Sequence, residues 1–151
     1  MSWLKAMREK EPPEPNNPIG TVVIGNLQPD RMDTPKNMVR KSLKRAQFTT
    51  VDLGPSANEK TFATKAKEVN ADIIAVSINL SPAKENLPKL ISAIENEGLK
   101  GKVTVIIGGA AVKKEDAEKF GALYGKTREE AVVLAKKVIA EKQANNKSPK
   151  S

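Results

Sequence analysis

The residues of this chain best suited to chemistry sit in three stretches: Asp30, Arg31, Met32, Asp33, Thr34 and Pro35; Ser77, Asn79 and Ser81; and the pair Gly108-Gly109. The carboxylates and hydroxyls can accept or donate hydrogen bonds, Met32 offers a soft thioether, and adjacent glycines let a ligand approach the backbone closely. The chain contains no histidine and no cysteine. That removes the usual general base, thiol catalysis, disulfides and the commonest metal ligands. Asp30 and Asp33 have no visible base or nucleophile network beside them, which argues against a stand-alone enzyme.

Short apolar runs must carry these stretches. Thr21 to Ile24, Thr49 to Leu53, Ile73 to Ile78 and Val103 to Ile107 read as buried parallel strands, with Leu123-Tyr124 as a short fifth. Between them lie helix signals. Thr34 is placed to cap a helix with Pro35 at its first position, Thr127 and Glu130 match a capping box, and Gly98 and Gly121 suit helix C-terminal caps. Alternating β and α units with right-handed crossovers predict an α/β, flavodoxin-like (Rossmann-like) fold. Its five-stranded parallel sheet has order 2-1-3-4-5 and helices on both faces. Ligands of such sheets sit beyond the carboxyl ends of the strands. All three candidate stretches fall there.

The 151 residues fit one domain. Residues 1–18 read as an N-terminal segment and proline-rich linker, 19–142 as the folded domain, and 143–151 as a disordered Lys-rich tail. No apolar run reaches membrane-spanning length and the start lacks a secretory signal, so a cytoplasmic protein is expected. The formal charge of +8 suits an acidic partner, and Arg40, Lys41, Lys44 and Arg45 form a basic stripe on the first helix. With aromatics so scarce, nucleic acid is not an expected partner.

Gly20-Thr-Val-Val-Ile-Gly, Asp30-Arg-Met-Asp-Thr-Pro35, Lys36-Asn37, Val51-Asp-Leu-Gly54, Ala71-Asp-Ile-Ile74, Ser77-Ile-Asn79 and Ile107-Gly-Gly-Ala110 follow one another in a recognisable order. From Gly20 to about Ala140 the chain resembles the cobalamin-binding domain of corrinoid methyltransferase proteins and methionine synthase. That family carries Asp-x-His-x-x-Gly, Ser-x-Leu and Gly-Gly at the corresponding places. The resemblance implies a corrinoid such as cobalamin on the C-terminal face, its nucleotide tail in a slot beside the Gly-Gly strand, and a methyltransferase partner for methyl transfer. It also implies Ser77, Asn79, Ser81, Gly108, Gly109 and Tyr124 as cofactor-binding residues alongside the Asp30 to Pro35 loop.

The sequence departs from the pattern at the decisive place. Met32 stands where the family has the histidine that ligates cobalt, Pro35 where it has glycine, and Asn79 where it has leucine. A thioether is a weak donor to cobalt(III), so the expectation is corrinoid bound without a histidine ligand, with Met32 a weak cobalt ligand or simply a packing residue. The alternative is a descendant without corrinoid that meets an acidic partner through its basic helix face. Haem is disfavoured by the missing axial ligands.

Overall fold

The computed structural model describes Leu4, Lys5 and residues 8–147. Five parallel strands form one sheet: β1 (Gly20–Asn26), β2 (Phe48–Asp52), β3 (Ile73–Ser77), β4 (Thr104–Gly108) and β5 (Leu123–Tyr124). Their order is β2-β1-β3-β4-β5. The flavodoxin-like arrangement read from the alternation is the one observed. Strand ends differ by one or two residues from the apolar runs, because Gly20, Asn26 and Gly108 join the ladder through backbone bonds that carry no hydropathy signal.

Six helices surround the sheet among the described residues: α1 (Asp33–Arg45), α2 (Glu59–Glu68), α3 (Ser81–Lys84), α4 (Leu87–Asn96), α5 (Lys114–Lys119) and α6 (Arg128–Lys147). The period-2 alternation of the central strands makes two unequal cores. Val23, Ile74, Val76, Val105 and Ile107 pack against α2, α4 and α5 through Phe62, Ala66, Leu90, Ile94 and Ala117. On the opposite face Val22, Ile24, Ile73, Ala75 and Ile106 meet Leu43 of α1 and Ala135, Val138 and Ile139 of α6. The second core is the smaller, and only two helices cover it.

Several helix ends differ from the sequence reading. Helix α1 begins at Asp33, with Met32 as the N-cap and no side-chain cap bond. Thr34 is therefore not the cap, and Pro35 is the third helical residue instead of the first. The third N–H of a helix has no intrahelical acceptor, so proline costs nothing there. Gly98 and Gly121 do end helices, in the left-handed conformation with φ of +74° and +69°. Thr127 caps α6 by accepting from the Glu130 N–H at 3.1 Å, but the returning Glu130 carboxylate accepts from Lys126 instead of from the cap residue. Helix α6 continues to Lys147, so residues 143–147 are helical where a disordered tail was expected. Gln143, Ala144 and Lys147 are good helix formers even with no apolar face to bury, and the two asparagines between them only extend a helix already under way. Residues 148–151 and Trp3 lie outside the described residues.

The N-terminal segment is not a free linker. Pro12 is buried, and Glu9, Glu11 and Glu14 run along the outside of α1 and the start of α6. Glu11 accepts from both guanidinium nitrogens of Arg40 at 2.6 and 2.7 Å and from Lys44 at 2.9 Å. Glu14 reaches Lys44 at 3.0 Å, and Glu9 joins Arg45 to Arg128, the latter at 2.7 Å. The basic stripe of α1 thus already has an acidic partner within the chain.

The bonds from Arg40 and then Lys44 pull the Glu11 carboxyl from 4.5 down to about 2. A folded value below the unfolded one stabilises the protein above about pH 4.5, and that stabilisation is lost as pH falls through about 2. Glu11 is half exposed, so screening limits the effect. Glu11→Gln is expected to lower stability by about 1 kcal/mol near neutral pH and by only a small fraction of that at about pH 2. Urea unfolding of both proteins at the two pH values checks this, and an equal difference at both contradicts the clasp.

Candidate functional site

Under the carboxyl ends of the central strands, on the side with the smaller core, lies a cleft of about 620 Å³. Its floor follows from strand register: Ile24 pairs with Ala75, and Ala75 with Ile106, so the three form one row across β1, β3 and β4. All three line the cleft. A single methyl between two larger side chains leaves the depression. Lys36, Val39 and Leu43 of α1 form one wall, and Arg128 and Ala131 of α6 the other.

Three loops close the upper end, and Asp30 and Asn79 fasten them together. Asp30 is fully buried; its Oδ1 accepts from the Met32 N–H at 2.9 Å, and its Oδ2 from the Asn79 N–H at 2.8 Å and Asn79 Nδ2 at 2.9 Å. Asn79 Oδ1 accepts from the Ala110 N–H at 3.1 Å. The loops after β1, β3 and β4 are thereby held by one carboxylate and one carboxamide. Buried polar groups are normally satisfied in this way, and the network makes loop positions interdependent.

The glycine pair works first on protein backbone. A Cβ on Gly109, whose φ is +119°, would lie 2.2 Å from the Ile78 carbonyl oxygen, and one on Gly108 would lie 2.6 Å from that of Gly125. Both glycines also line the cleft. Their missing side chains let the β4 loop close against its neighbours, and the space so shaped is the cleft.

At the start of α1 a second polar cluster is built on Lys36. Its side chain is 1% exposed and its amine lies 2.7 Å from both Asp33 Oδ1 and Asp52 Oδ1. Burial pushes the Asp33 carboxyl up, but the Lys36 ammonium beside it outweighs this and holds it below the usual range. The pair fixes the loop end of α1 to the end of β2.

Of the residues singled out from sequence, Pro35, Ser77, Asn79, Gly108, Gly109 and Tyr124 line the cleft. Tyr124 also packs against the larger core. Asp30 lies behind the lining and shapes it through Asn79. Arg31, Asp33, Thr34 and Ser81 lie outside it, with Arg31 and Ser81 exposed. Met32 is not packed: it is 48% exposed on the loop above the cleft, and its carbonyl accepts from Asn26 Nδ2 at 3.0 Å. Sequence reasoning missed the floor residues Ile24, Ala75 and Ile106 and the wall residues Lys36, Val39, Leu43, Arg128 and Ala131. The strand alternation and the small Ala75 within Ile-Ile-Ala-Val were the available signal.

Among the described residues no His, Cys, Asp or Glu group can hold a metal ion, and no helix is long and apolar enough to cross a membrane. Fold and cleft together define a flavodoxin-like domain with a slot between the sheet and two helices at the carboxyl end of its strands. The chain belongs to the B12 binding domain family, whose model matches residues 20–135. It is 37% identical over 122 residues to trimethylamine corrinoid protein 2 of Methanosarcina acetivorans, covering 80% of this chain and 56% of that protein. It is 36% identical over 123 residues to the dimethylamine corrinoid protein of Methanosarcina barkeri, covering 81% and 58%. A solved structure of a cobalamin-binding protein from Desulfitobacterium hafniense DCB-2 superposes with a TM-score of 0.75 at 28% identity, covering 79% of this chain and 58% of that one. The chain spans a little over half the length of these relatives.

Proposed function

We propose that this domain is a corrinoid carrier that holds a cobamide by its nucleotide tail and presents the ring on the loops after β1, β3 and β4. The observation that carries the reading is the cleft with the Ile24, Ala75 and Ile106 floor. It is mostly apolar and edged by a few polar groups, and Pro35 of the loop that bears Met32 lines it. A flat heterocycle on a tether suits such a slot, because apolar walls bury its faces while Ser77 and Asn79 address its polar edge. Relatives described as methylamine corrinoid proteins support this assignment.

Bound cobalt supplies the atom that carries a methyl group; the chain supplies the slot, the ring seat and exclusion of water from the tail. The ring seat carries no imidazole. Met32, exposed on that loop, would offer a bound cobalt only a thioether and no imidazole nitrogen. A carrier of this kind works with a separate methyltransferase, most simply in the cytoplasm. The acidic-partner alternative has lost its support, since Glu9, Glu11 and Glu14 cover the basic face it needed.

The test uses hydroxocobalamin with the native protein and with Met32→His. Native protein is expected to perturb the corrinoid spectrum, and Met32→His to shift it further toward a nitrogen-ligated form. Identical spectra for the two loaded proteins contradict the placement of this loop over cobalt. A native protein that leaves the free corrinoid spectrum unchanged contradicts the carrier reading itself.

A further inference from the structure

We infer that Arg128, together with the first turn of α6, seats the phosphodiester of the tail, the unpaired Nη1 of its guanidinium donating to a phosphate oxygen at the wall of the cleft. The inference rests on the reading of the cleft as the tail slot.

Arg128 is the first residue of α6 and part of the cleft wall, with its side chain only 10% exposed. A guanidinium holds its N–H donors in a rigid planar fork and stays charged in proteins. Here Nε donates to Ser42 Oγ of α1, and Nη2 donates to the Glu9 carboxylate at 2.7 Å. Those two nitrogens share one edge of the fork, turned toward α1 and the N-terminal segment. Nη1 lies on the other side, buried and without a hydrogen-bond partner among the described residues. Buried polar atoms are normally paired, and a charged donor left unpaired is among the costliest exceptions.

The surroundings favour an anion as the missing partner. Glu9 is shared between Arg128 and Arg45, so two guanidiniums face one carboxylate. Lys126 and Glu129, both exposed at the cleft edge, add one charge of each sign and leave that excess standing. Lys36 on the facing wall is already matched by Asp33 and Asp52, so it does not compete for the anion. The backbone N–H groups of Arg128 and Glu129, in the first turn of α6, also have no acceptor among the described residues. Such a helix start favours a phosphate, and bonds from arginine to phosphate are charge-assisted. In a cobamide tail the phosphodiester is the anionic part, whereas the sugar and the base are neutral.

The experiment titrates the native full chain and Arg128→Met with cobalamin and with cobinamide, which lacks the phosphodiester along with the rest of the tail. The phosphorus NMR resonance of cobalamin bound at saturation is recorded for each protein. Arg128→Met is expected to weaken cobalamin binding about tenfold or more and cobinamide binding less than about twofold. The bound phosphorus resonance is expected to move from its position in the native complex toward that of free cobalamin. Where cobinamide is held too weakly to titrate, the phosphorus resonance decides. If Arg128→Met does not fold, Arg128→Lys, which keeps a charge beside Glu9 but loses the fork, takes its place with the same expectations. An unchanged resonance or an unchanged cobalamin affinity overturns the inference. Equal losses for the two corrinoids make Arg128 a brace between α1 and α6 and overturn it as well, and each of these results leaves the slot in place. A native protein that binds neither corrinoid overturns the slot and the inference together.

Discussion

Ala75→Phe is expected to weaken cobalamin binding by at least about 100-fold, roughly 3 kcal/mol, while leaving the fold intact. Ala75 is the low point of the cleft floor, 7% exposed, with Ile24 and Ile106 beside it in register. A phenyl ring added there rises into the space assigned to the tail and occupies it. Large side chains forced into a packed core cost about 1–3 kcal/mol, but this one enters an existing cleft, so the change in stability should be small. Cobinamide, which has no tail, separates the two effects: its binding is expected to survive the substitution. Spectral titrations with both corrinoids, alongside thermal unfolding, check the result. Equal losses for both corrinoids contradict the tail slot.

Gly109→Ala is expected to destabilise the protein by about 4 kcal/mol. The residue has φ of +119°, a conformation that strains any L side chain by about 1–3 kcal/mol. Its new methyl would also lie 2.2 Å from the Ile78 oxygen and 2.6 Å from the Ile78 carbonyl carbon. Backbone cannot retreat as a flexible side chain can, and this backbone is stapled: Ile78 N–H donates to the Gly108 oxygen at 2.8 Å, and Ala111 N–H to the Ile78 oxygen at 3.1 Å. Gly98→Ala is the control. Its φ is +74° with open space around it, so only the left-handed conformation is penalised, by about 1–2 kcal/mol. Urea unfolding of the two variants should differ by more than about 2 kcal/mol, and similar losses contradict a steric role for Gly109.

Much of the architecture was legible because it rests on local patterns. The apolar runs marked every strand, and a parallel five-stranded sheet with right-handed crossovers leaves few strand orders open. The loops that line the upper end of the cleft followed from that order. What the residues did not reveal depends on contacts between distant positions. Asp30 and Asn79 lie far apart in sequence and meet only because β1 and β3 are neighbours, so their pairing leaves no local trace. The clasp of Glu9, Glu11 and Glu14 on α1 was hidden for the same reason: a proline-rich composition says that a segment is extended and says nothing of where it lies. Asn79 read as a departure from a leucine pattern, whereas in the fold it is the tie among three loops. Met32 occupies an exposed N-cap, a placement set by the end of the helix and not by hydropathy.

These features share one cause. Asp30 behind the lining, with Asn79 and Lys36 at its edge, ties the loops and the start of α1 in place, and the rest of the cleft is lined mainly by apolar side chains and backbone. Rigid polar scaffolding behind an apolar slot pre-organises the site, so little ordering remains for the ligand to impose.

Corrinoid retention tests this most directly. Purified protein is incubated with excess hydroxocobalamin, separated from free cofactor on a desalting column, and its absorption spectrum recorded. About one equivalent retained per chain, with a spectrum altered from the free corrinoid but lacking a histidine-ligated signature, is the expected result. Elution of colourless protein, with all corrinoid in the free fraction, contradicts corrinoid carriage by this domain.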